Sequence, residues 1–412
     1  MSGYHRNDVH WLKSNAPVWE AVVGEIHGRR IRIGDHWLVD FASGNYLGFD
    51  LSEEIMDSIA GRVRQWGTYP SWARLSGTSL YIEIEERLGK LLHAPDTMVL
   101  PATAHIHSAM IPALAGTGTV FVDEHAHEAI YHGGRTSRAH GARLQRFRMD
   151  DLDDLTRRLA ADSTGVRIVC VNGVDSITGN LLDLPTLAGV CREHAALLYI
   201  DDTHGFGVIG ERGPDETSPY GSQGNSIVRH FNETYDNIIL VAGFSEAYSS
   251  PLAFVALPTP LKRHLKQVAA HIYAQPSPTA SIATAIAGLD VNEREGDVIR
   301  ADLHNKTARL LAHVRAARVL TSNTHPCGIP IIELPIAHGD DLPRVARLLW
   351  EQGIFVTLAE YPHVARDQTG FRIQANAAHT HGDIDRLIDA LTMLTEISVL
   401  RSDPHNAELP YT

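Results

Sequence analysis

Short apolar runs rich in β-branched residues recur along the chain: TVFVD (119–123), RIVCVNGV (167–174), LLYIDD (197–202), NIILVAGF (237–244) and the stretch from Leu252 to Leu257. Continuous apolar strands of this kind suit a sheet covered on both faces. Between several of them lie stretches of helical periodicity, such as LDDLTRRLAAD (152–162) and DLPTLAGVCREH (183–194). Strands alternating with helices predict an α/β unit built on a mostly parallel sheet. A long helical pattern follows over 290–317. After it come a strand, a helix, a strand and a closing helix in 328–336, 345–358 and 370–397. This second set predicts a small C-terminal α+β domain. The expected organisation is an N-terminal arm over 1–50, a large domain over 51–289, a small domain over 290–401 and a tail to 412.

Composition narrows the function classes. The chain has 412 residues, 44% hydrophobic and 21% charged, enough for two domains with sizeable cores. Its net charge of -13 argues against nucleic acid, whose phosphates call for clustered Lys and Arg. Cys170, Cys191 and Cys327 are odd in number and widely spaced, which suggests neither a disulfide framework nor a zinc knuckle. No stretch approaches the roughly 18 apolar residues of a membrane span, and the first residues lack the apolar core of a signal peptide. A cytoplasmic location is expected, with no membrane association.

Three stretches carry chemistry. VDEHAHEAI holds Asp123 and His127, VNGVDSITGN holds Ser176, and YIDDTHGFGVIGERG holds Asp201 and His204. All follow predicted strands, where open α/β sheets place their ligands. The pairs HIH (105–107) and HAH (125–127) also resemble metal ligands. With 24 histidines in the chain such pairs arise by coincidence, and no metal is expected.

Taken in order, these motifs resemble the α-oxoamine synthases, a family of fold type I pyridoxal-phosphate (PLP) enzymes. DFASGNYLGF (40–49) is similar to the family's entry motif, DDTHGFGVIGERG (201–213) to its most specific signature, and GFRIQANAAHT (370–380) to its C-terminal substrate motif. The resemblance spans about residues 38 to 400. It implies a PLP-transferase-like fold, a homodimer, and a reaction joining an acyl thioester (on CoA or an acyl carrier protein) to a small amino-acid-like nucleophile. It also implies that Asp201 meets the pyridine nitrogen, that His127 covers the ring and that Ser176 and His204 serve its phenolic oxygen. Arg372 and Asn45 would hold the substrate carboxylate.

One position departs. Where the family carries Ser-Lys-Ala, with the Lys forming the Schiff base to PLP, this chain reads Ser245-Glu246-Ala247. A carboxylate forms no imine, and it repels an anionic cofactor: two unit charges about 5 Å apart at an effective dielectric of about 20 repel by roughly 3 kcal/mol. Lys262 and Lys266 lie too far along to substitute locally. The phosphate cup is thinner too, with Ala102 and Ala104 in place of a family Ser-Gly-aromatic turn and Gly243 in place of a family Thr. Thr103, Ser245, Ser249 and nearby backbone N–H groups remain as phosphate donors. The expectation is therefore an acyltransferase-like enzyme without covalent PLP. Non-covalent PLP stays open, and Glu246, His204, Asp201 and His127 form the reaction centre. Two alternatives stand beside it: a lysine-less, non-catalytic subunit paired with an active paralogue, and a synthase inactivated by a Lys-to-Glu change.

Overall fold

A computed structural model describes residues 21–71, 78–163, 165–268, 274–361 and 364–403. Backbone contacts divide the chain into two compact units. One comprises Leu47–Ser176 and Leu181–Ala301; the other comprises Met1–Tyr46, Ile177–Asn180 and Asp302–Thr412.

The first unit is built on a seven-stranded sheet in the order β4-β10-β9-β8-β7-β5-β6. Its strands are β4 (Asp96–Leu100), β5 (Thr119–Asp123), β6 (Arg143–Phe147), β7 (Arg167–Asn172), β8 (Leu197–Asp201), β9 (Ile238–Gly243) and β10 (Ala253–Leu257). Strands β6, β5, β7, β8 and β9 pair in parallel, while β10 runs antiparallel to both β9 and β4. Two reversals return β4 to the direction of β9, so β4, β5, β7, β8 and β9 all end at the same edge. The helices are α1 (Glu53–Trp66), α2 (Ser79–Leu92), α3 (Thr103–Ala115), α4 (Glu128–Ala139), α5 (Leu152–Ala161), α6 (Leu184–Glu193), α7 (Ser226–His230), α8 (Thr259–Leu265) and the first part of α9 (Thr279–Ala316). Met98, Ile106, Met110, Val120, Val122, Ile168, Cys170 and Tyr199 belong to one buried cluster that joins α3 to the sheet. Burying such side chains contributes about 1.5–3 kcal/mol each.

The second unit carries two sheets. One has the order β1-β2-β3-β12, with β1 (Val23–His27), β2 (Arg30–Ile33), β3 (His36–Asp40) and β12 (Ile354–Phe355). The other has the order β11-β14-β13, with β11 (Ile331–Pro335), β13 (Thr357–Ala359) and β14 (Gly370–Gln374). Helices α10 (Leu342–Glu351) and α11 (His381–Glu396) complete it. Helix α11 opens on a capping box, in which Thr380 and Asp383 exchange side-chain and backbone bonds.

The segment expected as an arm thus forms three strands over its described part, and residues up to Tyr46 group with those from Asp302 onward. The expected boundary at 289/290 falls inside α9, whose unbroken run begins eleven residues before the predicted 290, at Thr279. The early part of that helix is buried almost all round, with Ile282, Ala283, Ala285, Ile286 and Leu289 all inside, so it lacks the polar stripe that marks an amphipathic helix.

Candidate active site

The shared sheet edge opens into a cleft of about 130 Å³. Each strand end delivers a side chain to it. Asn172 ends β7, Asp201 ends β8, and Ser245 and Glu246 follow β9. His127 follows β5 as the cap of α4, and Thr103 follows β4 as the first residue of α3. Of the expected site residues, Thr103, His127, Ser176, Asp201, His204, Ser245 and Glu246 all line the cleft. Asn45 and Arg372 belong to the other unit, where Arg372 donates to Gln374 Oε1 at 3.0 Å. Ser249 does not line the cleft; it takes a left-handed conformation (φ 57) and its Oγ is buried.

Asp201 anchors the cleft floor. Its Oδ2 accepts from His107 Nε2 at 2.8 Å. Its Oδ1 accepts from the Thr203 hydroxyl at 2.5 Å and from the Thr203 N–H at 3.0 Å. Burial alone would push this carboxyl up; the His107 contact and the two Thr203 bonds outweigh it and hold the carboxyl down at about 2. A carboxylate offers about four lone-pair sites, so one on Oδ2 is left to accept a further N–H. The other ring nitrogen of His107, Nδ1, lies 2.9 Å from the Tyr199 hydroxyl. Burial raises Tyr199 far above its ordinary value, so it keeps its proton. Asp201, being ionised, can only accept, so His107 turns its Nε2–H toward it.

The HIH pair weighed as metal ligands thus holds a different role. His107 is fully buried on α3, one helical turn beyond Thr103. Sequence reasoning missed it, and the available signal was a histidine spaced i+4 from Thr103 amid the apolar positions Ile106, Met110 and Ile111. Asn172 was missed as well. Its Oδ1 accepts the His127 N–H at 3.1 Å, and its Nδ2 donates to the His125 carbonyl at 3.1 Å. It thereby clamps the turn that presents His127, whose Nδ1 in turn accepts the Ala129 N–H at 3.2 Å.

Thr203 and Gly243 form a matched pair. The Gly243 N–H donates to Thr203 Oγ1 at 3.1 Å, so one hydroxyl ties the end of β9 to Asp201. A Cβ on Gly243 would lie 3.1 Å from Ser245 Oγ and 3.3 Å from the methyls of Thr103 and Thr203. The space that a side chain at 243 would take is already filled by threonines. Behind Asp201, Asp202 is fully buried, accepting from the Ile227 N–H at 2.9 Å, and burial raises its carboxyl well above the ordinary range. Two adjacent acids are thus driven in opposite directions, Asp201 down and Asp202 up.

Glu246 stands at the mouth with its side chain about a quarter exposed. Ser245 Oγ lies 3.4 Å from Oε1, and His204 Nδ1 lies 3.9 Å from Oε2, beyond hydrogen-bond length. Among the described residues, none that lines the cleft is Lys or Arg. The chain has only five lysines, at 13, 90, 262, 266 and 306. Lys262 is bound to Asp96 and Glu85, and Lys306 to Asp302 and the Ala377 carbonyl. Lys90 lies in the last turn of α2, Lys266 follows α8, and Lys13 lies outside the described residues.

An αβ sheet with this topology, an ionised carboxylate on its floor and a ring of polar groups at the strand ends defines a PLP-transferase-type fold. Residues 37–391 match the aminotransferase class I and II family. The 8-amino-7-oxononanoate synthase of Dechloromonas aromatica is 30% identical over 372 residues, 89% of this chain and 92% of that protein. That of Sodalis glossinidius is 31% identical over 371 residues, 88% of this chain and 90% of that protein. Among solved structures, a serine palmitoyltransferase from S. paucimobilis superposes with a TM-score of 0.84 at 19% identity, covering 95% of this chain and 96% of that one. An 8-amino-7-oxononanoate synthase from Francisella tularensis gives 0.72 at 21% identity, covering 87% and 97%. The chain belongs to the aminotransferase class I and II family, on its α-oxoamine synthase branch.

Proposed function

We propose that the chain is an acyltransferase of oxoamine-synthase type that joins an acyl thioester, on CoA or a carrier protein, to a small amino-acid-like nucleophile without a covalent link to PLP. The observation that carries this reading is Glu246 in the same cleft as an intact, ionised Asp201. The residues present fit a PLP-like group held non-covalently. Asp201 has one lone-pair site left for a ring N–H, His127 is fixed by Asn172, and α3 begins beside the cleft with no side chain capping its N-terminus. When bound, the cofactor supplies an electron sink for charge developing on the nucleophile's α-carbon.

The chain's own residues supply the rest. Asp201 would keep the proton on the ring nitrogen, with His107 and Thr203 holding Asp201 ionised. His127 would cover the ring, Ser176 and His204 would serve its oxygen, and Thr103, Ser245 and the first N–H groups of α3 would receive the phosphate. Glu246 acts as general base on the nucleophile, in the place the family gives its lysine. We assign the nucleophile's carboxylate to Arg372 and Asn45, and the working form to a homodimer.

The test is turnover with a panel of acyl-CoAs and small amino acids, measured as thiol release, on the parent, Glu246→Gln and Glu246→Lys. The reading expects turnover in the parent and its loss by about 10²–10⁴-fold in Glu246→Gln, with the fold intact by circular dichroism. Full activity in Glu246→Gln would sink the base role. An inactive parent rescued by Glu246→Lys alone would identify a synthase disabled at one position. An inactive parent that gains activity only with a lysine-bearing relative would identify a silent subunit.

A further inference from the structure

The replacement at 246 changes more than a covalent anchor; it changes which ligand the cleft's charge suits. Among the described residues that line it, its two acids, Asp201 and Glu246, meet His127 and His204 as the basic side chains, with neither Lys nor Arg. Asp201 is already served by His107 and Thr203. Glu246 is not: a weak contact from Ser245 at 3.4 Å and a histidine at 3.9 Å leave most of its lone-pair sites to whatever enters. A partly enclosed carboxylate with accepting capacity calls for a cationic donor.

The two forms of the cofactor differ at the atom that the family's lysine addresses. The aldehyde form presents a carbonyl oxygen, an acceptor, to another acceptor. The amine form presents an ammonium, with three donors and a positive charge. We propose that Glu246 makes this cleft a receptor for the amine form, pyridoxamine 5′-phosphate, in preference to pyridoxal 5′-phosphate. This rests on the reading above that the cofactor binds without a covalent link, and it adds which form is held. The ammonium replaces the charge that the lysine would have brought, so the phosphate and ring oxygen enter a cleft whose one uncommitted anion is matched.

The test is binding, not turnover. Pyridoxal 5′-phosphate and pyridoxamine 5′-phosphate are each titrated into the full chain, cleared of cofactor by dialysis, and followed by calorimetry. The parent is expected to bind the amine form at least about tenfold more tightly, as a charge-assisted hydrogen bond to a half-buried carboxylate gives. Glu246→Gln keeps the side chain's shape and removes its charge; the preference should fall to about threefold or less. In Glu246→Lys the preference should reverse, the new amine condensing with the aldehyde and releasing water to give a borohydride-fixable mass increase. Equal affinities in the parent, or a preference unchanged in Glu246→Gln, would overturn the inference alone. Binding of neither form would overturn it together with the non-covalent reading on which it rests.

Discussion

Replacing His107 with phenylalanine isolates what holds the cleft floor. A flat ring is kept, somewhat larger than imidazole, while Asp201 Oδ2 loses its donor at 2.8 Å and the Tyr199 hydroxyl loses its partner at 2.9 Å. Asp201 sits at about 2 in the folded chain against an ordinary 3.8. A carboxyl depressed by that much stabilises the fold by about 2.5 kcal/mol at neutral pH. Because the folded value is the lower one, this stability is present above about pH 4 and is lost as pH falls toward 2, where the folded carboxyl also takes its proton. Without His107 the buried charge keeps only Thr203, and the desolvation that burial imposes is no longer outweighed. The expected loss is about 3 kcal/mol at pH 7, within the range for breaking a buried charged pair. Urea unfolding of parent and variant at pH 7 and pH 3 measures it, and the gap should narrow by about 1 kcal/mol at the lower pH. A gap under about 1 kcal/mol at pH 7, or one indifferent to pH, would refute the argument that His107 holds Asp201 ionised.

Gly243→Thr should destabilise by about 1–3 kcal/mol through crowding against Thr103, Thr203 and Ser245, and adding Thr203→Ala should recover part of it. Additive losses in that double-mutant cycle, read by urea unfolding, would show that the two positions do not share space. Asp202→Asn should be neutral or stabilising. A carboxyl raised in the folded state opposes folding increasingly as pH climbs above its unfolded value, so the variant's advantage should grow from pH 5 to pH 8 in thermal denaturation. Gly205→Ala should cost about 1–3 kcal/mol, since its Cβ would lie 2.1 Å from the Asp202 carboxylate.

Much of this arrangement was legible in the sequence. The apolar runs at 119–123, 167–174, 197–202 and 237–244 are strands β5, β7, β8 and β9, because strands buried on both faces need no alternation to be recognised. Strand β6 passed unread. RLQRF lies at the sheet's edge, where four of its five side chains stay at least partly exposed, so it lacks an apolar run. The strand-end residues Asp201, His204, Ser176 and His127 converge because parallel strands share an edge, a consequence of topology that spacing along the chain already implied. The residues that support them were not legible. His107 reaches Asp201 across 94 positions, and Asn172 reaches His127 across 45. Such partners are set by how α3 and β7 pack; the sequence shows a histidine amid apolar positions at 107, but not the residue it reaches.

The scarcity of lysine has a consequence for how the cleft is filled. A fold that captures its cofactor through an amine holds it far more tightly than contacts alone would. Among the described residues no lysine lines the cleft, and Lys262 and Lys306 are bound elsewhere. On the non-covalent reading proposed above, occupancy would follow mass action: the loaded fraction would rise and fall with free ligand, and so would stability, by about 2.7 kcal/mol when ligand stands a hundredfold above its dissociation constant. The protein would report the cofactor supply of its surroundings in its own lifetime, melting earlier when that supply is short.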